Sequence, residues 1–217
     1  MGDEANQVSV RTGRRPGRGW ITVARGLHRT GRPGLVGDLL AWQTTLRPAA
    51  AFTHLTAAAV RGWWLPPLPE GLPVWVVQAA AQHGSVRSDL VVIRRRGAPE
   101  GETVGGLRLA PAAETLVTCA RDLGLLDLIM LCESALHVGD VTLEELTRVA
   151  AQHRRGAPLL RTAIPYLDGR AESPWEVLLR MLHVVCGIAV EPQHELFDAA
   201  GTFVARGDLW LVGTTMF

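Results

Sequence analysis

The pattern of apolar and polar positions changes period several times along this chain of 217 residues, and each change marks an element. Residues 1–19 have no periodicity; glycine, arginine and proline dominate, and a mobile basic arm is predicted. Trp20–Arg29 has strand propensity interrupted by Gly26, and the turn chemistry of Gly31-Arg32-Pro33-Gly34 follows, so a short hairpin is predicted. Leu35–Leu46 and Thr53–Trp64 read as helices, the second with Thr53 as N-cap and with Pro66, Pro67 and Pro69 as its stop. The period then shortens. Leu72–Gln78, Asp89–Arg94 and Leu107–Leu109 are short β-branched or leucine-rich runs that predict a small sheet.

From Pro111 the spacing is helical again, over Ala112–Arg121, Leu125–Leu136, Thr142–His153 and Leu159–Leu167. The third of these opens on the capping box Thr142-Leu143-Glu144-Glu145. Asp168-Gly169-Arg170-Ala171 is polar and contains a glycine, which predicts a boundary. Beyond it, Ser173-Pro174-Trp175-Glu176 starts another helix, with serine at the N-cap, proline at the first helical position and glutamate at the third, running to Gly187. Ile188–Leu196 and Thr202–Val212, joined by a turn over Asp198–Gly201, predict a C-terminal hairpin. The expected fold class is α+β in four segments: an arm (1–19), a hairpin with helices and a small sheet (20–110), a helical middle (111–168) and a C-terminal α/β segment (169–217).

Composition narrows the function classes. With 47% hydrophobic and 20% charged residues the chain has enough apolar content to build a core. No apolar run approaches the roughly 18 residues of a membrane span, and Asp3 and Glu4 stand where a signal peptide is basic, so a cytoplasmic protein without a membrane partner is expected. Cys119, Cys132 and Cys186 are odd in number and set among apolar residues, which predicts small buried hydrophobes rather than disulfides. All 22 basic residues are arginine. Without lysine, a Walker-type phosphate loop, a Schiff-base enzyme and a lysine-assisted nuclease centre are excluded within these residues.

The charge is unevenly placed. Residues 1–108 hold 14 arginines against 7 acidic residues, a balance of +7, and residues 109–217 hold 8 against 14, a balance of −6. Arg14, Arg15, Arg18, Arg25 and Arg29, interleaved with glycine and proline, and Arg94 and Arg95 further on, are the candidate nucleic-acid contacts. A guanidinium fork bonds phosphate oxygens in pairs, although a merely solvated arm has the same composition. Two carboxylates stand out as candidate catalytic and metal-ligating residues. Glu176 has an ordinary role as the capping glutamate of its helix. Asp208 lies in mid-strand, where a carboxylate is disfavoured unless it pairs with Arg206, faces solvent or binds metal. The seven histidines, among them His54 beside the candidate N-cap, show no zinc-ligand spacing.

The runs A-E-S-P-W-E-V-L-L-R-M-L at 171–182, G-I-A-V-E-P-Q at 187–193 and D-A-A-G-T-F-V-A-R-G-D-L at 198–209 resemble the very-short-patch-repair-like endonuclease domain of the PD-(D/E)XK superfamily. Arg25-Gly26-Leu27-His28-Arg29 resembles the wing of the DNA-binding module in AbiEi-type antitoxins of high-GC bacteria. Thr53–Ala58, Gly62, Pro66 and the helices from Ala110 to Arg155 are similar to the middle of that arrangement. The resemblance implies a partial restriction-endonuclease-like core at the C-terminus in which Asp208 and Glu176 hold Mg²⁺. It also implies DNA as a partner, with a toxin protein as a second one.

Two departures are visible. The family's next strand, with its Glu-x-Asp-Gly pair, and a downstream histidine do not follow before Met216-Phe217, and residues 1–19 cannot build the family's helix-turn-helix. The expectation is therefore a DNA-binding protein resembling a type IV toxin-antitoxin regulator, with a truncated nuclease-like C-terminus that has little or no activity. A metal-dependent endonuclease and a toxin-binding module without DNA contact are the alternatives.

Overall fold

The computed structural model describes residues 8–81, 87–97 and 100–215; residues 1–7 of the expected arm and His83 lie outside them. Helices and sheets are both present in an α+β arrangement, and the chain divides into two compact units. No helix among the described residues is long and apolar enough to cross a membrane.

The first unit comprises Met1–Arg61 and Pro69–Pro111. Its first sheet is three-stranded and antiparallel, in the order β1 (Val10–Thr12), β3 (Leu27–Arg29), β2 (Ile21–Ala24). The central strand β3 is fully buried, so its main-chain groups need ladder partners on both sides. The second partner comes from the segment expected to be a mobile arm: Val10 pairs with Arg29 and Thr12 with Leu27. Thr30 N–H donates to Ser9 O at 3.0 Å and Gly13 N–H to Gly26 O at 3.1 Å. The expected arm is thus corrected over residues 8–13, and the expected two-stranded hairpin is a three-stranded sheet. The signal was the short alternation Val8-Ser9-Val10, too brief to register against the surrounding arginines.

The second sheet is mixed, in the order β6 (Leu90–Arg95), β5 (Val74–Ala79), β4 (Ala51–Phe52), β8 (Leu107–Leu109), β7 (Glu102–Val104). Its middle strand has two residues, both fully buried. Phe52 O accepts from Ala110 N–H at 2.7 Å, and Thr53 N–H reaches Trp75 O at 3.1 Å. Helices α1 (Leu35–Gln43) and α2 (His54–Arg61) contribute to a core of Leu27, Leu39, Trp42, Phe52, Ala57, Val76, Leu107 and Leu109.

The second unit comprises Gly62–Leu68 and Ala112–Phe217. Four helices, α3 (Ala112–Cys119), α4 (Leu125–His137), α5 (Leu143–Ala150) and α6 (Ala157–Ala163), precede α7 (Pro174–Val185) and the hairpin β9 (Val190–Phe197) and β10 (Phe203–Leu211). Pro165 tightens the chain after α6 into a 3-10 turn, Ile164–Tyr166. Gly156 fills a place that admits no side chain: its φ is 88°, and a Cβ there would stand 2.0 Å from Val117 O.

Residues 169–217 fall in the same compact unit as residues 112–168. The reason is a buried charge that sequence spacing did not reveal. Glu133 on α4, with no exposure, accepts the N–H groups of Asp168 at 2.8 Å and Gly169 at 2.7 Å. The same carboxylate takes a short hydrogen bond from Arg180 on α7, whose guanidinium also donates to Tyr166 O at 2.6 Å. The polar linker is therefore held from inside the helical layer.

Candidate nucleic-acid interface and the acidic pair

The first unit carries 14 arginines against 7 acidic residues, and the fold decides which of them face solvent. Arg14, Arg15, Arg18 and Arg25 are exposed in the turns around the three-stranded sheet, as is Arg11 on β1. Arg14 and Arg25 line an open cleft of about 800 Å³ with Gly13, Gly26, Arg87, Ser88 and Asp89. Arg87 was missed by sequence reasoning, because it stands in a polar stretch with no periodicity. Its guanidinium lies 4.7 Å from the Trp42 ring centroid, donates to Asp89 through two bonds of 3.0 Å and reaches Arg25 O at 2.9 Å. The hydrogen bonds to Asp89 raise the Arg87 pKa, and Arg87 in turn lowers that of Asp89. Arg87 thereby holds the Arg25 turn beside the cleft, its own charge offset by Asp89 on the same lining.

Arg29 is the correction in this set. It is the bulkiest of the fully buried side chains. Its Nε donates to Asp38 at 2.7 Å, and its two Nη atoms donate to the carbonyls of Thr30, Arg32 and Gly34 at 2.7–3.2 Å. A Cβ on Gly37 would approach its Cζ to 2.8 Å. Arg29 therefore ties β3 to the 30–34 loop and to the first turn of α1, and offers nothing to a phosphate. The physical reason is that carbonyls clustered by a Gly/Pro-rich loop, of which only Gly34 O has a main-chain donor from α1, Asp38 N–H at 3.1 Å, suit a multi-donor group, which a planar guanidinium supplies. Beside it, His28 is buried; its Nε2–H donates to Gly13 O at 3.0 Å, so Nδ1 is the acceptor for the Thr22 hydroxyl at 3.1 Å.

Arg94 is exposed and Arg95 half-buried on β6, where consecutive side chains point to opposite faces of the sheet. Neither lines the cleft occupied by Arg14, Arg25 and Arg87 among the described residues.

In the second unit Glu176 performs the capping role. Ser173 Oγ accepts Glu176 N–H at 3.3 Å and donates to Glu176 Oε1 at 2.6 Å; Glu172 N–H donates to Oε2 at 3.0 Å. A further donor comes from the hairpin: Gln193 Nε2 reaches Oε2 at 2.9 Å. Partial burial pushes the Glu176 carboxyl upward, but these three donors outweigh it and hold the pKa below its ordinary value. Gln193 adopts φ 54°, unusual for a residue with a side chain, at the point of β9 that delivers this amide. It was not singled out by the sequence reading.

Asp208 is exposed on β10 and sits opposite Gln193 by register, since Gly207 pairs with His194 and Leu209 with Pro192. The structure thus brings Asp208 into the neighbourhood of Glu176 through Gln193, but not into a metal-binding arrangement. Both Glu176 oxygens already accept hydrogen bonds, and no group of three His, Cys, Asp or Glu side chains able to hold a metal occurs among the described residues. The donor set does not suit Mg²⁺, which needs near-octahedral oxygen ligation.

The cysteines divide by environment. Cys119 and Cys132 are buried, and desolvation pushes both thiols well above their ordinary value, whereas Cys186 is exposed.

The sequence matches no protein-family model and no curated protein. Among solved structures, the RV2827C protein from Mycobacterium tuberculosis aligns with 83% of this chain and 73% of its own, at a TM-score of 0.43 and 16% identity.

Proposed function

We propose that the chain is a DNA-binding protein of the kind its resemblance to AbiEi-type antitoxins implies, contacting the phosphate backbone through the arginines of its first unit. One observation carries this reading. Arg14 and Arg25 meet Arg87 at a single open cleft, and Arg11, Arg15 and Arg18 are exposed in the same short stretch of chain. The β2–β3 hairpin turns at Arg25-Gly26, the place of a wing tip in that resemblance. Arg25, at that turn, and Arg14, on the same cleft, then each donate to phosphate oxygens. In this reading the α7 and β9–β10 region is a nuclease-like remnant that supplies no chemistry.

The experiment is DNA affinity across a salt series for the chain and for the variant carrying Arg14→Ala, Arg15→Ala, Arg18→Ala and Arg25→Ala. The variant is expected to bind more weakly, with its log–log salt slope reduced by about 0.9 for each phosphate that is no longer neutralised. Unchanged affinity and slope would overturn the proposal and leave the toxin-binding reading.

A further inference from the structure

The C-terminal hairpin is a two-stranded sheet, so β10 has β9 on one side and no strand on the other among the described residues. The open edge is nine residues long, with a bulge between Phe203 and Ala205, and from Ala205 to Leu211 it runs without proline. Phe203 and Val204 at its start are more than half exposed. Natural proteins ordinarily blunt such an edge, because its unpaired N–H and C=O groups template the addition of another strand.

The sequence of this edge is complementary to itself. Set antiparallel against a second β10 about Gly207, it places Arg206 of each copy opposite Asp208 of the other. The same register puts Ala205 opposite Leu209, apolar against apolar on the other face, and the regular pairing ends at the bulge before Ala205. Sliding by two residues in one direction sets Arg206 against Arg206, and in the other Asp208 against Asp208. Like charges directly opposite are unfavourable, so one register is selected.

Three further observations agree. Gly207 has no positive φ that would call for glycine, and a glycine in mid-strand suits a place where another backbone approaches closely. Asp208 has no hydrogen-bond or ion-pair partner among the described residues. Arg206 meets Glu172 at 2.5 Å, but both side chains are about half exposed, and a surface pair of that kind yields readily to a better one.

We infer that β10 is the seat of a two-fold homodimer. A second copy of this chain adds its β10 antiparallel at Gly207, the two hairpins become one four-stranded sheet, and two Arg206–Asp208 pairs cross the axis. The inference is independent of DNA binding and gives Asp208 a role other than metal ligation.

The test is sedimentation velocity of the 217-residue chain over a micromolar range, with far-UV circular dichroism on each variant. The wild-type chain is expected to dimerise with concentration. Arg206→Asp and Asp208→Arg each turn two attractive pairs into two repulsive ones and should weaken the dimer by about tenfold or more. The combined variant R206D/D208R exchanges the charges across the axis and should restore dimerisation. It does not restore the pair with Glu172, so recovery reports the contact between chains. A wild-type monomer at every concentration would overturn the inference, as would a dimer indifferent to the single reversals or a combined variant that stays monomeric. If a single reversal fails to fold, the combined variant decides.

Discussion

Two buried guanidiniums set the residue-scale energetics, and neither serves a ligand. Arg180 and Glu133 are both buried, and the carboxylate also holds the N–H groups of Asp168 and Gly169. Removing one partner leaves the other charge stranded. Glu133→Leu should cost about 3–5 kcal/mol in urea unfolding, and the double change Glu133→Leu with Arg180→Met should recover a substantial part of it. A double variant no more stable than Glu133→Leu would show that the backbone bonds to Asp168 and Gly169, rather than the charge pair, carry the cost. Arg29 behaves alike in the first unit: Arg29→Ala should lower the melting temperature markedly, whereas Arg15→Ala, at an exposed position, should leave stability within about ±0.5 kcal/mol of the parent.

Glu176 gives a residue-scale dependence on pH. Its carboxyl is held below the ordinary value of 4.5. A depressed carboxylate contributes stability that is present above the unfolded-state pKa and is lost as pH falls through the folded one. Glu176→Ala should therefore cost about 1 kcal/mol at neutral pH, as loss of a helix cap does. The difference between variant and parent should shrink below pH 4.5. A difference independent of pH would mean that the ionised carboxylate is not what caps α7.

Among the elements, those whose caps and periods are local were readable in the sequence, and those that exist only through a neighbour were not. The Thr142 capping box is present, with Glu145 Oε2 accepting Thr142 N–H at 2.9 Å, and α7 begins at Pro174 behind Ser173. Strand β4 was missed because two residues have no period; its ladder partners lie on β5 and β8, far along the chain. Strand β1 was lost among arginines for the same reason. The candidate site was legible only in composition. Arg29 is written like its exposed neighbours, and what distinguishes it is a cluster of loop carbonyls that a linear reading does not assemble. Gln193 and Glu133 act across the hairpin and across the helical layer respectively, and no spacing rule connects either to its partner.

Gly156 caps α6 at a positive φ against Val117 O. Gly156→Ala combines a left-handed residue with a steric overlap and should destabilise by more than about 1 kcal/mol in denaturant unfolding. A neutral result would mean that the α5–α6 connection yields, which the paired bonds from Arg154 to Glu114 at 2.8 and 2.9 Å oppose.

In the whole molecule, an arginine-rich unit proposed to recognise phosphate is joined in one chain to an acidic unit whose C-terminal hairpin has no metal-binding set among the described residues. Supercoiled DNA incubated with the chain and Mg²⁺ should remain intact, and cleavage abolished by Asp208→Asn would contradict the reading of that hairpin as a remnant. The measurement closest to the central claim is the affinity of the unmodified chain for a duplex as salt is raised. Log affinity is expected to fall linearly and steeply with log salt, as counterions are released by several arginine–phosphate contacts. Absence of binding at low salt, or binding indifferent to salt, would contradict it.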